Sequence, residues 1–192
     1  MLTLDVEKNS VAAYVGNAPT TLEHSKDVNI ITAPRSTGSF LKPFLYASML
    51  DAGELVPHSL VADIPTAING FTTQNYDRTY AGAVRTSKAL SKSLNVPAVR
   101  MLQSYRVPKF YSKLQMLELL RINCEASTYG LSLIIGGGES SLQEMCHAYL
   151  GIATRLKEYT SNSSLRDKNV MRKLHYVNFL GTEKRQSSTV EP

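Results

Sequence analysis

The residue that most limits how this chain can fold is Pro43, in the stretch RSTGSFLKPF, Arg35 to Phe44. Proline has no backbone N–H, so it sits in a helix only where no bond from that position is needed. The first four N–H groups of a helix have no partner within it. Leu41, Phe44, Leu45, Met49 and Ala52 recur at helical spacing, and the small Ser48 shares their face. The spacing predicts a helix over 40–52, with Ser39 at its mouth, Pro43 in its first turn and Gly53 as its stop. Proline also disfavours helical geometry at the residue before it, here Lys42.

Ser39 and Lys42 stand three residues apart, a spacing that brings two side chains to one helical face. A serine hydroxyl is a poor nucleophile until a base removes its proton, and lysine is such a base only when neutral. At the ordinary lysine pKa of about 10.4, roughly one amine in 2,000 is neutral at pH 7. Burial would have to lower that value by about three units, and Phe40, Leu41 and Phe44 are the apolar neighbours available to desolvate it. The helix N-terminus would also favour negative charge on a reacting oxygen. Read alone, S-x-x-K is a cheap pattern. On that pattern alone Ser39 reads as a helix cap and Lys42 as a solvated surface lysine.

A second pattern follows downstream. Ser93-Leu94-Asn95 closes a predicted helix that Thr86 can cap, and it precedes Val96-Pro97. In isolation it is a C-terminal turn with Asn95 as terminator. Paired with Ser39 and Lys42, Ser93 can relay a proton and Asn95 can hold an amide.

The remainder of the chain bounds the function class. At 192 residues and 43% apolar content it is long enough for one globular domain. The net charge is +5, but no Lys/Arg block alternates with aromatics, which argues against nucleic acid as a partner. Cys124 and Cys146 form no C-x-x-C pair, and the four histidines lack ligand spacing, so neither a metal nor a cofactor is expected. Each cysteine reads as a small buried apolar residue. No signal-peptide pattern opens the chain and no run is long enough to span a bilayer.

Leu2 to Asp5 alternates, Val11 to Val15 is β-rich, and a compact turn joins them, which predicts a hairpin. Residues 54–85 are punctuated by Pro57, Pro65, Asn69-Gly70 and Gly82 and read as irregular. Further helices are expected from Pro97 to about Tyr105 and from Lys109 to Leu120. Gly136 to Gly138 lack the Lys and Ser/Thr of a phosphate loop and read as a tight turn. Ser141 and Glu144 have capping-box form. Behind them Leu142, Met145, Cys146, Tyr149, Ile152, Ala153 and Leu156 trace one helical face, on which His147 reads as a packed core histidine. From Lys157 the signal fades, and Gln186 to Pro192 reads as a disordered tail.

PRSTGSFLKPFLYASMLD and AGAVRTSKALSKSLNVPAVRML together resemble the transpeptidase domain of class A, bifunctional penicillin-binding proteins, nearest their 1C type. LTLDVEKNSVAAYVGN resembles that family's first two strands. ADIPTAINGFTTQNYD resembles its connecting segment, and YGLSLIIGGGESSLQEMCHAYLGIA the turn and helix after the second motif. The resemblance implies an α+β, partial β-lactamase/transpeptidase-like fold over 1–155, a hairpin followed by a largely helical subdomain, with 156–192 an unmatched, poorly ordered tail. It implies that Ser39 is the acylated nucleophile, Lys42 its base, and Ser93 and Asn95 the second motif. Tyr76, Asp77 and Tyr80 would lie near the cleft. The implied partners are peptidoglycan stem peptides and β-lactams. The implied parent is anchored on the periplasmic face of the bacterial inner membrane, with a glycosyltransferase domain upstream.

The family's third motif, K-T-G or K-S-G on an edge strand, has no counterpart here. Leu180 to Lys184 carries its letters in the wrong order. One reading is therefore a serine D,D-transpeptidase fragment, with two convincing strands of the family's roughly five-stranded sheet. A second is a catalytically impaired remnant or interaction module. A third is a serine β-lactamase or D,D-carboxypeptidase.

Overall fold

A computed structural model of the chain describes residues 1–17 and 28–161. Along the chain the strands are β1 (Leu2–Asp5), β2 (Ser10–Tyr14), β3 (Arg35–Ser36), β4 (Leu60–Asp63), β5 (Thr66–Ile68), β6 (Phe71–Thr73), β7 (Gly82–Arg85) and β8 (Glu139–Ser140). The helices are α1 (Lys42–Asp51), α2 (Thr86–Ser91), α3 (Asn95–Tyr105), α4 (Val107–Met116), α5 (Ala126–Tyr129) and α6 (Leu142–Ser161), with a 3₁₀ segment over Gly130–Ile135. This is a mixed α+β chain. It divides into two compact units, one of residues 1–33 with the chain from Ser141 onward, the other Pro34–Ser140.

The first unit holds the expected hairpin. β1 and β2 pair antiparallel with Thr3 opposite Ala13 and Leu4 opposite Val11, so Ala12 is the extra residue of a bulge. The Asp5 carboxylate accepts from the Glu7 and Lys8 N–H groups, which closes the turn. α6 packs against β1. Its start is the expected capping box: the Ser141 N–H donates to Glu144 Oε2 at 3.0 Å, and the Glu144 N–H to Ser141 Oγ at 3.2 Å. Among the described side chains of α6, Met145, Ala148 and Leu150 are buried, whereas Leu142 and Leu156 are exposed, so the expected apolar face is only partly covered. His147 and Cys146 are half-buried rather than core residues. α6 runs on to Ser161, and the expected tail beyond it lies outside the described residues.

The second unit is built around α3, which touches α1, α2, α4, β4, β6 and the 3₁₀ segment. Val96, Val99 and Leu102 of α3 are buried with Leu41, Phe44, Leu45 and Met49 around α1 and with Phe110 and Leu114 of α4. Each Å² of apolar surface that this cluster removes from water stabilises the unit by about 25 cal/mol. α1 ends as expected. Gly53 takes φ +69°, its N–H donates to Leu50 O, and the Glu54 N–H donates to Met49 O. Ala52, expected on the buried face, is instead the exposed cap residue of this ending.

Several expectations change here. Residues 54–85, read as irregular, contain four strands in two antiparallel pairs, β4 with β7 and β5 with β6. Each is only three or four residues long, too short to show alternation in the sequence. The β5–β6 turn is Asn69-Gly70 with φ +49° and +81°, the left-handed pair of a two-residue hairpin turn. Among the described residues the two convincing strands thus become eight, in four separate two-stranded sheets. The helix expected from Thr86 to Leu94 stops at Ser91, because Ser93 is left-handed. α4 begins at Val107 rather than Lys109, immediately after Arg106 at φ +79°. Cys124, expected to be buried, is exposed.

Candidate active site

The α1 helix begins at Lys42, two residues later than its apolar spacing predicts, with Leu41 as its cap residue and Pro43 in the first turn. Ser39 lies in the tight turn before it, where the Phe40 N–H donates to Thr37 O and the Lys42 N–H to Ser39 O. Ser39 is therefore not the helix cap. It is exposed, and among the described residues neither its hydroxyl nor its backbone N–H has a hydrogen-bond partner. Phe40, expected to help desolvate the lysine, is 62% exposed; Leu41 and Phe44 are buried.

Lys42 is not a solvated surface lysine: it is 2% exposed. Its Nζ donates to Ser93 O at 2.7 Å, to Asn95 Oδ1 at 2.7 Å and to Ser93 Oγ at 3.2 Å. All three acceptors are neutral, and among the described residues no carboxylate forms an ion pair with Lys42. Burial without a counter-charge disfavours the ammonium and lowers the Lys42 pKa to about 8. At that value roughly one amine in ten is neutral at pH 7, against about one in 2,000 for an ordinary lysine. The structure thus brings Lys42, Ser93 and Asn95 together. It leaves the Ser39 hydroxyl outside hydrogen-bond reach of the Lys42 amine.

Ser93 offers two acceptors to one amine because its backbone is left-handed, at φ +52°. This conformation is uncommon for a residue bearing a Cβ. It ends α2 and turns the chain into α3, so Asn95 starts a helix rather than terminating one. α3 has no side-chain cap of its own, since Leu94 occupies the cap position. Asn75 supplies one from a distant loop, its Oδ1 accepting from the Asn95 N–H at 3.0 Å and the Val96 N–H at 3.2 Å. Its Nδ2 donates to Asp63 Oδ1 at 2.7 Å and to Thr79 O at 2.9 Å. The other Asp63 oxygen accepts from the Ala81 N–H. Asp63 and Asn75 are both buried. The sequence reading passed over both. The signal available was negative: a helix start at Asn95-Val96-Pro97 with no capping residue before it.

The turn carrying Ser39 is held from behind. β3 pairs with β8, and the Thr37 N–H and hydroxyl both donate to Gly138 O, at 2.9 and 3.2 Å. Ser36 Oγ donates to Gly136 O and accepts from the Gly38 N–H. A Cβ on Gly136 would meet Ser36 Oγ at 2.6 Å and the Gly38 backbone at 3.1 Å. The glycine turn is therefore more than a lead-in to α6: its missing side chains let it back directly onto the Ser36–Gly38 segment. Tyr76 and Asp77 are exposed, and Asp77 is held below the usual carboxylate range by hydrogen bonds from Thr79. Among the described residues, no group of three His, Cys, Asp or Glu side chains could hold a metal, and no helix is long and apolar enough to cross a membrane.

The family model described as "Penicillin binding protein transpeptidase domain" matches residues 1–121. Penicillin-binding protein 1C of Escherichia coli is 37% identical over 126 residues, covering 66% of this chain and 16% of its own length. Penicillin-binding protein 1A of Neisseria cinerea is 30% identical over 157 residues, covering 78% of this chain and 19% of its own. The chain thus spans less than a fifth of either relative. Among solved structures, penicillin-binding protein 1A from Haemophilus influenzae aligns with a TM-score of 0.55 at 27% identity, over 65% of this chain and 19% of that one. The transpeptidase domain of Burkholderia pseudomallei penicillin-binding protein 3 aligns with a TM-score of 0.65 over 80% of this chain and 49% of that one. At 18% identity, that likeness is one of fold.

Proposed function

The chain belongs to the penicillin-binding protein transpeptidase domain family, and on that premise we propose that it is part of a penicillin-binding serine D,D-transpeptidase acting through an acyl-serine intermediate. The observation that carries this reading is Lys42. It is a buried amine one helical turn beyond an unpaired serine, surrounded by neutral acceptors and brought by desolvation to a pKa of about 8.

In this reading Ser39 Oγ attacks the carbonyl carbon of a stem-peptide D-Ala–D-Ala bond, or of a β-lactam ring, and its proton passes to Lys42. On losing its own proton beforehand, Lys42 needs one acceptor fewer, and its lone pair becomes available to a hydroxyl. The free backbone N–H of Ser39 is placed to donate to the oxygen on which charge develops. When the tetrahedral intermediate collapses, the C–N bond breaks and the departing nitrogen takes a proton through Ser93 Oγ, which touches Lys42 Nζ. Asn95 keeps the amine in register through Oδ1. An amine on a neighbouring strand then takes the acyl group from Ser39. A membrane-anchored parent on the periplasmic face, with a glycosyltransferase domain, belongs to the same proposal, as does residues 1–155 forming the transpeptidase part.

The test is incubation of the intact chain with a fluorescent penicillin, followed by intact mass and peptide mapping. The expected result is one adduct, on Ser39. An adduct that survives Ser39→Ala overturns the assignment, and none on the unaltered chain points to a non-catalytic interaction module. Hydrolysed β-lactam or free D-alanine without cross-linked peptide points to a β-lactamase or carboxypeptidase.

A further inference from the structure

Asn95 is gripped at three points. Its backbone N–H donates to Asn75 Oδ1, its side-chain Nδ2 donates to Gln74 O at 3.0 Å, and its Oδ1 accepts from Lys42 Nζ. Because Gln74 O can only accept, the carboxamide has one workable orientation: nitrogen toward Gln74, oxygen toward the lysine. The adjacent pair Gln74-Asn75 therefore fixes both where Asn95 sits and which way its amide faces. Asn75 is fixed in turn. It is 2% exposed, and its four hydrogen bonds use both donors and both lone pairs of its amide.

We infer that Asn75 is a positioning residue for the lysine of the site, acting through Asn95, and that Asp63 is the anchor that holds Asn75. The inference rests on Lys42 acting upon Ser39, as proposed above. Asn75 makes no hydrogen bond to Lys42, Ser93 or Ser39, so its influence runs through the start of α3. Removing its amide strips the acceptor from two buried N–H groups. Those groups must then recruit water or shift, and either outcome loosens Asn95 and hydrates the amine that Asn95 holds.

The charged surroundings give the test a sign. Ser93 and Asn95 carry no charge, and the carboxyl group in this chain of bonds belongs to Asp63. If Asp63 acted on Lys42 only as a negative charge, Asp63→Asn would make the ammonium less favourable and lower its pKa. If Asp63 acts by fixing Asn75, the same isosteric change sets an amide N–H against another donor, loosens the network and raises the lysine pKa.

The experiment follows Lys42 by NMR of chain labelled with ε-¹³C lysine, alongside the rate of acylation by a fluorescent penicillin. In Asn75→Ala the Lys42 midpoint should rise by about one unit, with acylation at pH 7 falling about tenfold as the neutral fraction falls. In Asp63→Asn it should move in the same direction by less. Unchanged Lys42 titration in folded Asn75→Ala, with only a lower Tm, overturns the inference and leaves Asn75 a purely structural cap. A fall in Asp63→Asn also overturns it. Should Asn75→Ala not fold, the milder Asp63→Asn decides by the sign of its shift. Should the unaltered chain fail to acylate at Ser39, the functional reading falls, while the Lys42 titration still decides the role of Asn75.

Discussion

Lys42 Nζ and Asn95 Oδ1 lie 2.7 Å apart although 53 residues separate them in the chain, and among the described residues no ion pair of Lys42 with a carboxylate accompanies them. A buried ammonium is ordinarily matched by a carboxylate. Here it is matched by an amide and two serine oxygens, so the protein solvates the amine without a counter-charge, and its proton is lost more readily than from an ordinary lysine.

Ser39→Ala should abolish acylation by penicillin while changing stability by no more than about 0.5 kcal/mol, because the residue is exposed and its side chain bonds to nothing among the described residues. Intact mass after penicillin treatment, with a thermal melt of the untreated variant, measures both halves.

Lys42→Met keeps the length and apolar stem of the side chain and removes the base. Loss of general base catalysis predicts a fall in acylation rate of about 10²- to 10⁴-fold. Stopped-flow fluorescence with the penicillin probe reads this directly. A drop of less than tenfold would assign the base to another group.

The depressed Lys42 pKa also sets a pH dependence. Below about 8 the lysine is charged both folded and unfolded, and it contributes no slope. Between about 8 and the ordinary lysine value, the unfolded chain binds more protons than the folded one, so stability rises with pH across that window. Denaturant unfolding at several pH values, compared between the native chain and Lys42→Met, should show that rise only when the lysine is present. The acylation rate should climb to about pH 8 and then level off.

Gly136→Ala should lower both stability and acylation, because its Cβ would press on Ser36 Oγ and the Gly38 backbone at a position with φ +110°. We expect a cost of about 1–3 kcal/mol. Gly53→Ala is the control. It too has positive φ, but open space surrounds it, so it should cost about 1 kcal/mol and leave the acylation rate of the folded chain unchanged. Thermal melts and acylation rates on the two variants separate local strain from displacement of the Ser39 turn.

The two motifs and the hairpin were legible because each depends on neighbours in sequence. Ser39 and Lys42 share one turn, β1 and β2 are joined by four residues, and Ser141 with Glu144 forms a local capping box. What escaped depends on distance along the chain. Nothing in the spacing of Asp63, Asn75 and Asn95 reveals that they form one hydrogen-bonded series, since each could be satisfied by water in an unfolded segment. Apolar periodicity starts α1 two residues too early because it registers Leu41 whether it lies in a helix or in the turn before one. β4 to β7 were missed because strands this short carry almost no pattern, although Asn69-Gly70 was the turn signal of one pair.

The left-handed backbone at Ser93 sets two kinds of selection against each other. A glycine there would relieve a conformational cost of the order of 1 kcal/mol. It would also delete the hydroxyl that faces the lysine. Variants chosen only for resistance to heat should therefore drift toward glycine at this position and become sturdier but slower proteins.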